Sequence, residues 1–298
     1  MLSKQRLPGS GEKPLDRWLR ELLPGKSWNE VRRLSRTGKV FIDGAPLLDP
    51  TRLVAAGAEI ELRQSAPRAT RTPALPKRAI LHLDAQVVVV EKPPGISTVP
   101  YDENERGTLD QLVMETISER GRRAPLGIVH RIDKETSGIV VFARTVAAKV
   151  ALKNQFRFHT VGRQYVAIAH GKVPSATIQS RLVQDRGDGR RGSTDNEALG
   201  REAITHVKQL ESLRGATLVE CRLETGRTHQ IRIHLAERGN PLVGERVYSK
   251  HYRGELISAP RLMLHARELA FEHPSTGQRL SFEQPMPQDM QAVLVSLR

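Results

Sequence analysis

One cysteine, Cys221, stands in a chain of 298 residues. No disulfide can close within it, a cysteine-rich zinc site is excluded, and the usage fits a reducing compartment. No apolar run approaches the roughly 20 residues that a membrane-spanning helix needs. The opening MLSKQRLPGSGEK has no apolar signal-peptide core, so the expected location is the cytoplasm. Acidic residues are also short: 33 Asp and Glu face 47 Lys and Arg, a net charge of +14. Such an excess points to a polyanionic partner, nucleic acid first, against the plainer reading of a cationic surface kept for solubility. The hydrophobic share of 38% suffices for a real core, and the length suits one large domain plus one small one.

The positive charge is uneven. Residues 1–78 hold 16 Lys and Arg against 8 Asp and Glu, more than half of the excess in about a quarter of the chain. PLDRWLRELL (14–23) spaces Leu15, Trp18, Leu19, Leu22 and Leu23 as one helical face behind Pro14. SWNEVRRLSRTG (27–38) predicts a second helix, with Ser27 and Glu30 as a capping box and Gly38 as its stop. KVFIDGAPL then reads as a strand with a tight turn at Asp43-Gly44, and AGAEIELR (56–63) as another strand. The succession of helix, arginine-rich helix, GKVFIDG and AGAEIEL resembles the S-four-type RNA-binding domain, here over 13–63. The resemblance implies a small α/β RNA-binding unit whose phosphate contacts are Arg32, Arg33, Arg36 and Lys39. Arginine on a rigid helix suits phosphate geometry, and a solvated helix face is the plainer alternative.

QSAPRATRTPALPKR (64–78) is basic and proline-rich, which predicts a linker that tethers this unit. The rest, 79–298, reads as one large domain. Strands are expected at 86–95, 139–144, 164–171, 204–213 and 217–226, and helices near 108–119, 146–156 and 229–238. Strands follow one another without regularly alternating helices. The expected class is therefore α+β: a large, mixed, mainly antiparallel sheet with flanking helices.

Some signals carry no chemistry. GDGRRG (187–192) matches a dinucleotide fingerprint but lacks the strand before it and the helix after it, so a flexible basic loop is expected. His206, His229, His234 and His265 lack metal-ligand spacing, and structural or RNA-facing roles suit them better. A hydrolase built on these histidines would need a metal.

Three stretches belong together: HRIDKETSG (130–138), GRQYVAIAHG (162–171) and LETGRTHQIRIHLAERGNPLVGE (223–245). In order and spacing they resemble the RluA-type pseudouridine synthases, and KPPG (92–95), HVKQLE (206–211) and LHARELAFEHPSTGQ (264–278) extend the match over nearly all of 80–298. The resemblance implies an isomerase that breaks the bond from ribose to uracil nitrogen, turns the base and rejoins it through carbon 5. No atoms enter or leave, so no cofactor and no metal is implied. The implied partner is structured RNA, foremost 23S rRNA or a large-subunit assembly particle, with tRNA second; a monomer is expected.

By the same resemblance Asp133 is the catalytic carboxylate. Carboxylates do attack sugar carbons, and one lying against RNA needs a cation nearby to remain charged. Arg232 would be that cation. Tyr165 would stack on the uracil and take the proton lost from carbon 5, with Ile231 packing against the base. A uridine must be flipped out of its stack to react, and Arg131 would fill the vacated place with a guanidinium that both stacks and donates. Thr136, Ser137 and Gly138 would shape the turn that presents Asp133, with His130 and His229 in support. Ile132, Glu245 and Ser249 depart from the family's usual Leu, Asp and Gly; the last two are expected to alter a loop and leave the catalytic set untouched. The rival from another class is a non-catalytic RNA-binding assembly factor on the same fold.

Overall fold

The computed structural model describes residues 4–66, 75–102, 105–118, 126–187 and 189–298. The chain divides into two compact units, Met1–Pro73 and Ala74–Arg298. Among the described residues no helix is long and apolar enough to cross a membrane.

The smaller unit runs β1 (Gln5–Arg6), β2 (Glu12–Pro14), α1 (Leu15–Leu22), α2 (Trp28–Arg36), β3 (Val40–Ile42), β4 (Ala45–Pro46), β5 (Leu53–Ala55) and β6 (Glu59–Leu62). The helices form where the apolar spacing places them. Leu15, Trp18 and Leu19 of α1 and Val31 of α2 are buried against Val40, Val54 and Ile60. Trp18 donates its indole N–H to the carbonyl of Val54 at 2.9 Å, so its one polar atom is satisfied in the core. Ser27 and Glu30 make the reciprocal capping box at the start of α2. Asp43 and Gly44 both take left-handed conformations, as the two-residue turn joining β3 to β4 requires.

The larger unit continues with β7 (Ile80–Leu83), β8 (Val87–Lys92), α3 (Leu109–Ile117), β9 (Gly127–Ile128), β10 (Ser137–Ala143), α4 (Val146–Arg157) and β11 (Gly162–His170). It goes on through β12 (Ala176–Val183), β13 (Gly192–Thr194), β14 (Arg201–Leu213), β15 (Ala216–Leu223), α5 (Gln230–Glu237), β16 (Leu264–Glu272), β17 (Arg279–Glu283) and α6 (Gln288–Ser296). The strands make one sheet in the order β13-β12-β14-β15-β11-β16-β10-β8-β7, with β17 on β16 and β9 on β10. Every pairing is antiparallel except that of β10 with β16. This is the expected mixed, mainly antiparallel sheet with flanking helices.

The central strands read as unbroken apolar runs because both faces are covered. Val88, Val90, Val140 and Phe142 face Leu109, Leu112 and Val113 of α3. Val87, Val89, Ile139 and Val141 face Ala148 and Leu152 of α4. Further along, α5 buries Ile231 and Leu235 against β11 and β15, and α6 buries Met290, Val293 and Leu294. Of the proline-rich segment, 67–74 lie outside the described residues. Its end belongs to the larger unit: Leu75 joins the cluster beneath α3, and Lys77–Ala79 form a single 3₁₀ turn leading into β7.

Candidate active site

Three segments converge over the middle of the large sheet: the loop from β9 to β10, the start of β11, and the stretch from the end of β15 into α5. Together they line a cavity of about 460 Å³. Asp133, Tyr165 and Arg232 all face it, as do His130, Arg131, Thr136 and Ile231. Its wall also holds Arg157, Arg163 and Arg227, so five arginines surround Asp133, its one carboxylate among the described residues. A cavity this cationic suits a phosphate-bearing ligand.

Asp133 is clamped through both of its chain neighbours. The hydroxyl of Thr98 donates to the carbonyl of Ile132 at 2.8 Å and accepts from its N–H at 3.2 Å. On the other side, the ammonium of Lys92 donates to the carbonyls of Lys134 (2.9 Å), Pro93 (2.9 Å) and Ile96 (2.8 Å). The N–H of Gly95 adds a bond to the same Lys134 carbonyl, and that of Thr136 closes the turn onto the Asp133 carbonyl. Lys92 has no exposed surface. Burial pushes its ammonium down to about 7, against the pull of Glu135 and Asp133.

Glycine is required where this loop enters the sheet. Gly138 has φ +119°, and a Cβ there would lie 2.1 Å from the carbonyl oxygen of Ala266 on β16. The close approach lets β10 and β16 pair and brings the Asp133 loop beside β11.

Arg232 faces Asp133 with Nη1 3.4 Å from Oδ2. Its other nitrogens fork onto Glu245, Nε to Oε2 at 2.7 Å and Nη2 to Oε1 at 2.9 Å. The Glu245 side chain is fully buried. Burial alone would push its carboxyl up, but the bonds from Arg232 and from the N–H groups of Val247 and Tyr248 hold it below the ordinary carboxylate range. Glu245 is therefore a direct partner of Arg232. This corrects the expectation that the change at 245 leaves the catalytic set untouched: the loop of residues 240–248 folds back under α5.

His229 caps α5 in a left-handed conformation, φ +60°. Its Nε2 lies 3.9 Å from Asp133, and its Nδ1 shares a hydrogen bond of 2.7 Å with the Tyr248 hydroxyl. Burial lowers its pKa, against the pull of Asp133. Tyr165 packs between the two central clusters, and burial pushes its phenol up to about 12. His130 accepts the N–H of Val141 at 3.1 Å and stacks on Phe156 at 4.6 Å; burial, helped by Arg163, takes it down to about 3. It is thus engaged with the fold as well as facing the cavity. Arg131 is exposed and makes no hydrogen bond or ion pair among the described residues. Thr136 keeps a buried hydroxyl without a partner.

Sequence reasoning assigned no role to Lys92, Thr98, Arg163 or Tyr248. Lys92 stood in the quoted KPPG, and the apolar run before it was the signal that a lysine there is buried. Arg163, two residues before Tyr165, is a buried cation that donates to a backbone carbonyl, that of Glu224. The remaining histidines are engaged elsewhere: His234 with Thr205 and Ser180, His265 with Ser137, His206 with Glu224 and Thr177. The GDGRRG loop joins β12 to β13. Asp188 lies outside the described residues, and Asp185 accepts the N–H groups of Gly187 and Gly189.

The four cations of the smaller unit are not equivalent. Arg33 and Arg36 are exposed. Arg32 is tied to Asp16 on α1 at 2.8 Å, and Lys39 donates to the carbonyl of Ala66.

Comparison with known proteins agrees with this geometry. The family model described as RNA pseudouridylate synthase matches residues 86–237. The ribosomal large subunit pseudouridine synthase D of Neisseria meningitidis serogroup A is 35% identical over 295 residues, covering 95% of this chain and 78% of that protein. The protein of the same name from Pseudomonas aeruginosa is 33% identical, covering 97% and 93%. Among solved structures, human RNA pseudouridylate synthase domain containing 4 superposes with a TM-score of 0.60 at 25% identity, over 73% of this chain and 92% of that one. A family match over half the chain, relatives matched nearly end to end, and one shared sheet lead to one assignment: the chain belongs to the RluA-type RNA pseudouridine synthases, isomerases that turn uridine in RNA into pseudouridine.

Proposed function

We propose that this enzyme modifies specific uridines of large-subunit rRNA, with Asp133 as its catalytic carboxylate. The observation that carries the reading is the placement of Asp133, clamped on both sides and facing Arg232 at 3.4 Å within a cavity walled by arginines. The relatives named for the large ribosomal subunit support rRNA over tRNA.

In this reading the target uridine leaves its stack and enters the cavity, at a cost of a few kcal/mol. Arg131, exposed and uncommitted, takes its place in the RNA. Asp133 assists cleavage of the glycosidic bond, either by attack at the ribose or by stabilising the positive charge that develops there. The freed uracil is held between Tyr165 and Ile231 while it turns and bonds through carbon 5. The carbon 5 proton leaves and a ring nitrogen gains one, so no outside reactant is consumed. With its phenol at about 12, Tyr165 is protonated at neutral pH. Stacking is then its main part, and proton acceptance needs a transient phenolate. The smaller unit serves as an S-four-type RNA-docking domain, with Arg33 and Arg36 as its free phosphate contacts. Phosphate contacts give affinity that falls with salt, and shape with base flipping gives selection.

The test is tritium release from carbon 5 of labelled uridine, with rRNA, ribosomal particles and tRNA from cells lacking the protein. Release from rRNA or particles is expected, with none from Asp133→Asn, which should still bind. Release from tRNA alone overturns the substrate. Full activity of Asp133→Asn overturns the role of Asp133, and binding without release by the native enzyme favours the assembly-factor reading.

A further inference from the structure

The geometry points to Phe158 as a stacking platform for an RNA base adjacent to the target uridine. The inference rests on the enzyme acting on RNA and not on which RNA it is.

Helix α4 ends in Gln155-Phe156-Arg157-Phe158-His159. Phe156 turns inward, lines the cavity and stacks on His130. Arg157 and His159 line the cavity too. Between them Phe158, the C-cap residue of α4, is 67% exposed. One exposed apolar side chain is ordinary on any surface. Three further observations set this one apart.

First, it stands in the chain between two residues of the cavity wall, Arg157 and His159. Second, His159 takes a left-handed backbone conformation, φ +58°, uncommon for a residue with a side chain, so the chain turns sharply just past Phe158. Third, the Arg157 guanidinium lies 5.8 Å from the Phe158 ring centre, and neither Arg157 nor Arg131 has a carboxylate partner among the described residues.

An exposed aromatic ring beside an arginine without a carboxylate partner is how proteins follow single-stranded nucleic acid. The ring stacks a base and the cations hold the phosphates. Flipping one uridine loosens the stack around it. Arg131 fills the vacated place inside the RNA, and Phe158 would hold a neighbouring base that has come out of the stack beside the target. Any base offers a π-face, so the platform selects an unpaired, accessible neighbour rather than a particular letter.

The experiment crosses two changes. Native enzyme and Phe158→Ala are compared on a hairpin containing the modified uridine, and on the same hairpin with an abasic site at each flanking nucleotide in turn. Dissociation constants and steady-state kinetics are both measured. Phe158→Ala is expected to weaken binding and raise KM about tenfold, as the loss of one stacked base does, with kcat and melting temperature unchanged. An abasic site at the platform position should weaken the native enzyme equally and leave Phe158→Ala no weaker still. Phe158→Trp should restore affinity, with indole emission quenched on RNA binding. Equal losses for Phe158→Ala on intact and abasic hairpins overturn the proposal, as does native affinity in that variant. If the native enzyme modifies tRNA and not rRNA, the rRNA reading falls and the comparison runs on a tRNA hairpin. If it modifies neither, the dissociation constants for a uridine-loop hairpin still decide the role of Phe158.

Discussion

Arg232 is held by Glu245 and presented to Asp133. The fork of 2.7 and 2.9 Å onto Glu245 uses Nε and Nη2 and leaves Nη1 for the Asp133 carboxylate. Glu245 is itself oriented by the N–H of Val247 at 2.8 Å. A planar guanidinium with two nitrogens fixed cannot swing, so Glu245 sets the distance between Arg232 and Asp133.

Glu245→Gln should therefore lower kcat at least tenfold with little change in KM, because it removes the charge that fixes the fork while nearly keeping its shape. Glu245→Ala should cost about 3–5 kcal/mol of stability, the penalty for stranding a buried cation. Tritium release at saturating RNA and thermal melting read the two effects. A native kcat in Glu245→Gln would show that Arg232 holds its place unaided.

The contrast between Glu245 and Asp133 shows what the sequence can and cannot reveal. That Asp133, Tyr165 and Arg232 come together in one cavity was legible because each sits in a motif whose local pattern is distinctive. Helices α1 and α2 and the runs of β8 and β10 were legible because periodicity and capping are written in neighbouring residues. Glu245 stands 13 residues past Arg232 across a loop whose path depends on tertiary packing. Likewise Arg32, Arg33 and Arg36 look alike on a helical wheel, yet Asp16 on α1 takes only Arg32. The pairing of β11 with β16, about a hundred residues later, is fixed by the assembled core and has no local signature.

Lys92 tests whether the clamp on Asp133 matters. Its three N–H groups are all used on carbonyls from two separate segments. Lys92→Met should cost about 3 kcal/mol and reduce turnover more than RNA binding, since it frees Lys134 and, through it, Asp133. In the native enzyme, raising the pH above about 7 removes one of these donors, so turnover should decline on that side. Native turnover in Lys92→Met, measured below its melting temperature, would sink the positioning role.

Gly138→Ala should abolish soluble expression or lower the melting temperature sharply. A methyl group has to enter a space 2.1 Å from a backbone carbonyl, at a φ that side chains avoid, and neither β10 nor β16 can retreat without breaking the sheet. Gly277→Ala is the matched control: its φ is +69°, but nothing lies within 4 Å of the added carbon. It should cost about 1 kcal/mol. Equal melting temperatures for the two variants would mean that close approach at Gly138 is not what demands glycine.

Three buried histidines make stability depend on acid. Burial takes His130 down to about 3, aided by Arg163, and His234 to about 4, aided by Arg238. Burial also takes His265 to about 4, although its bond to the Gln284 carbonyl opposes the shift. In the unfolded chain each titrates near 6.5. Between those values the unfolded state takes up protons that the folded state refuses, so stability falls as the pH drops. The contribution is intact above about 6.5 and is lost progressively toward 4 and then 3. By pH 5 the loss amounts to about 2 kcal/mol for each residue. The larger unit should accordingly melt roughly 10 °C lower at pH 5 than at pH 7. Calorimetry at the two pH values checks this, and a midpoint that stays level or rises on acidification would show that these histidines take up protons without unfolding.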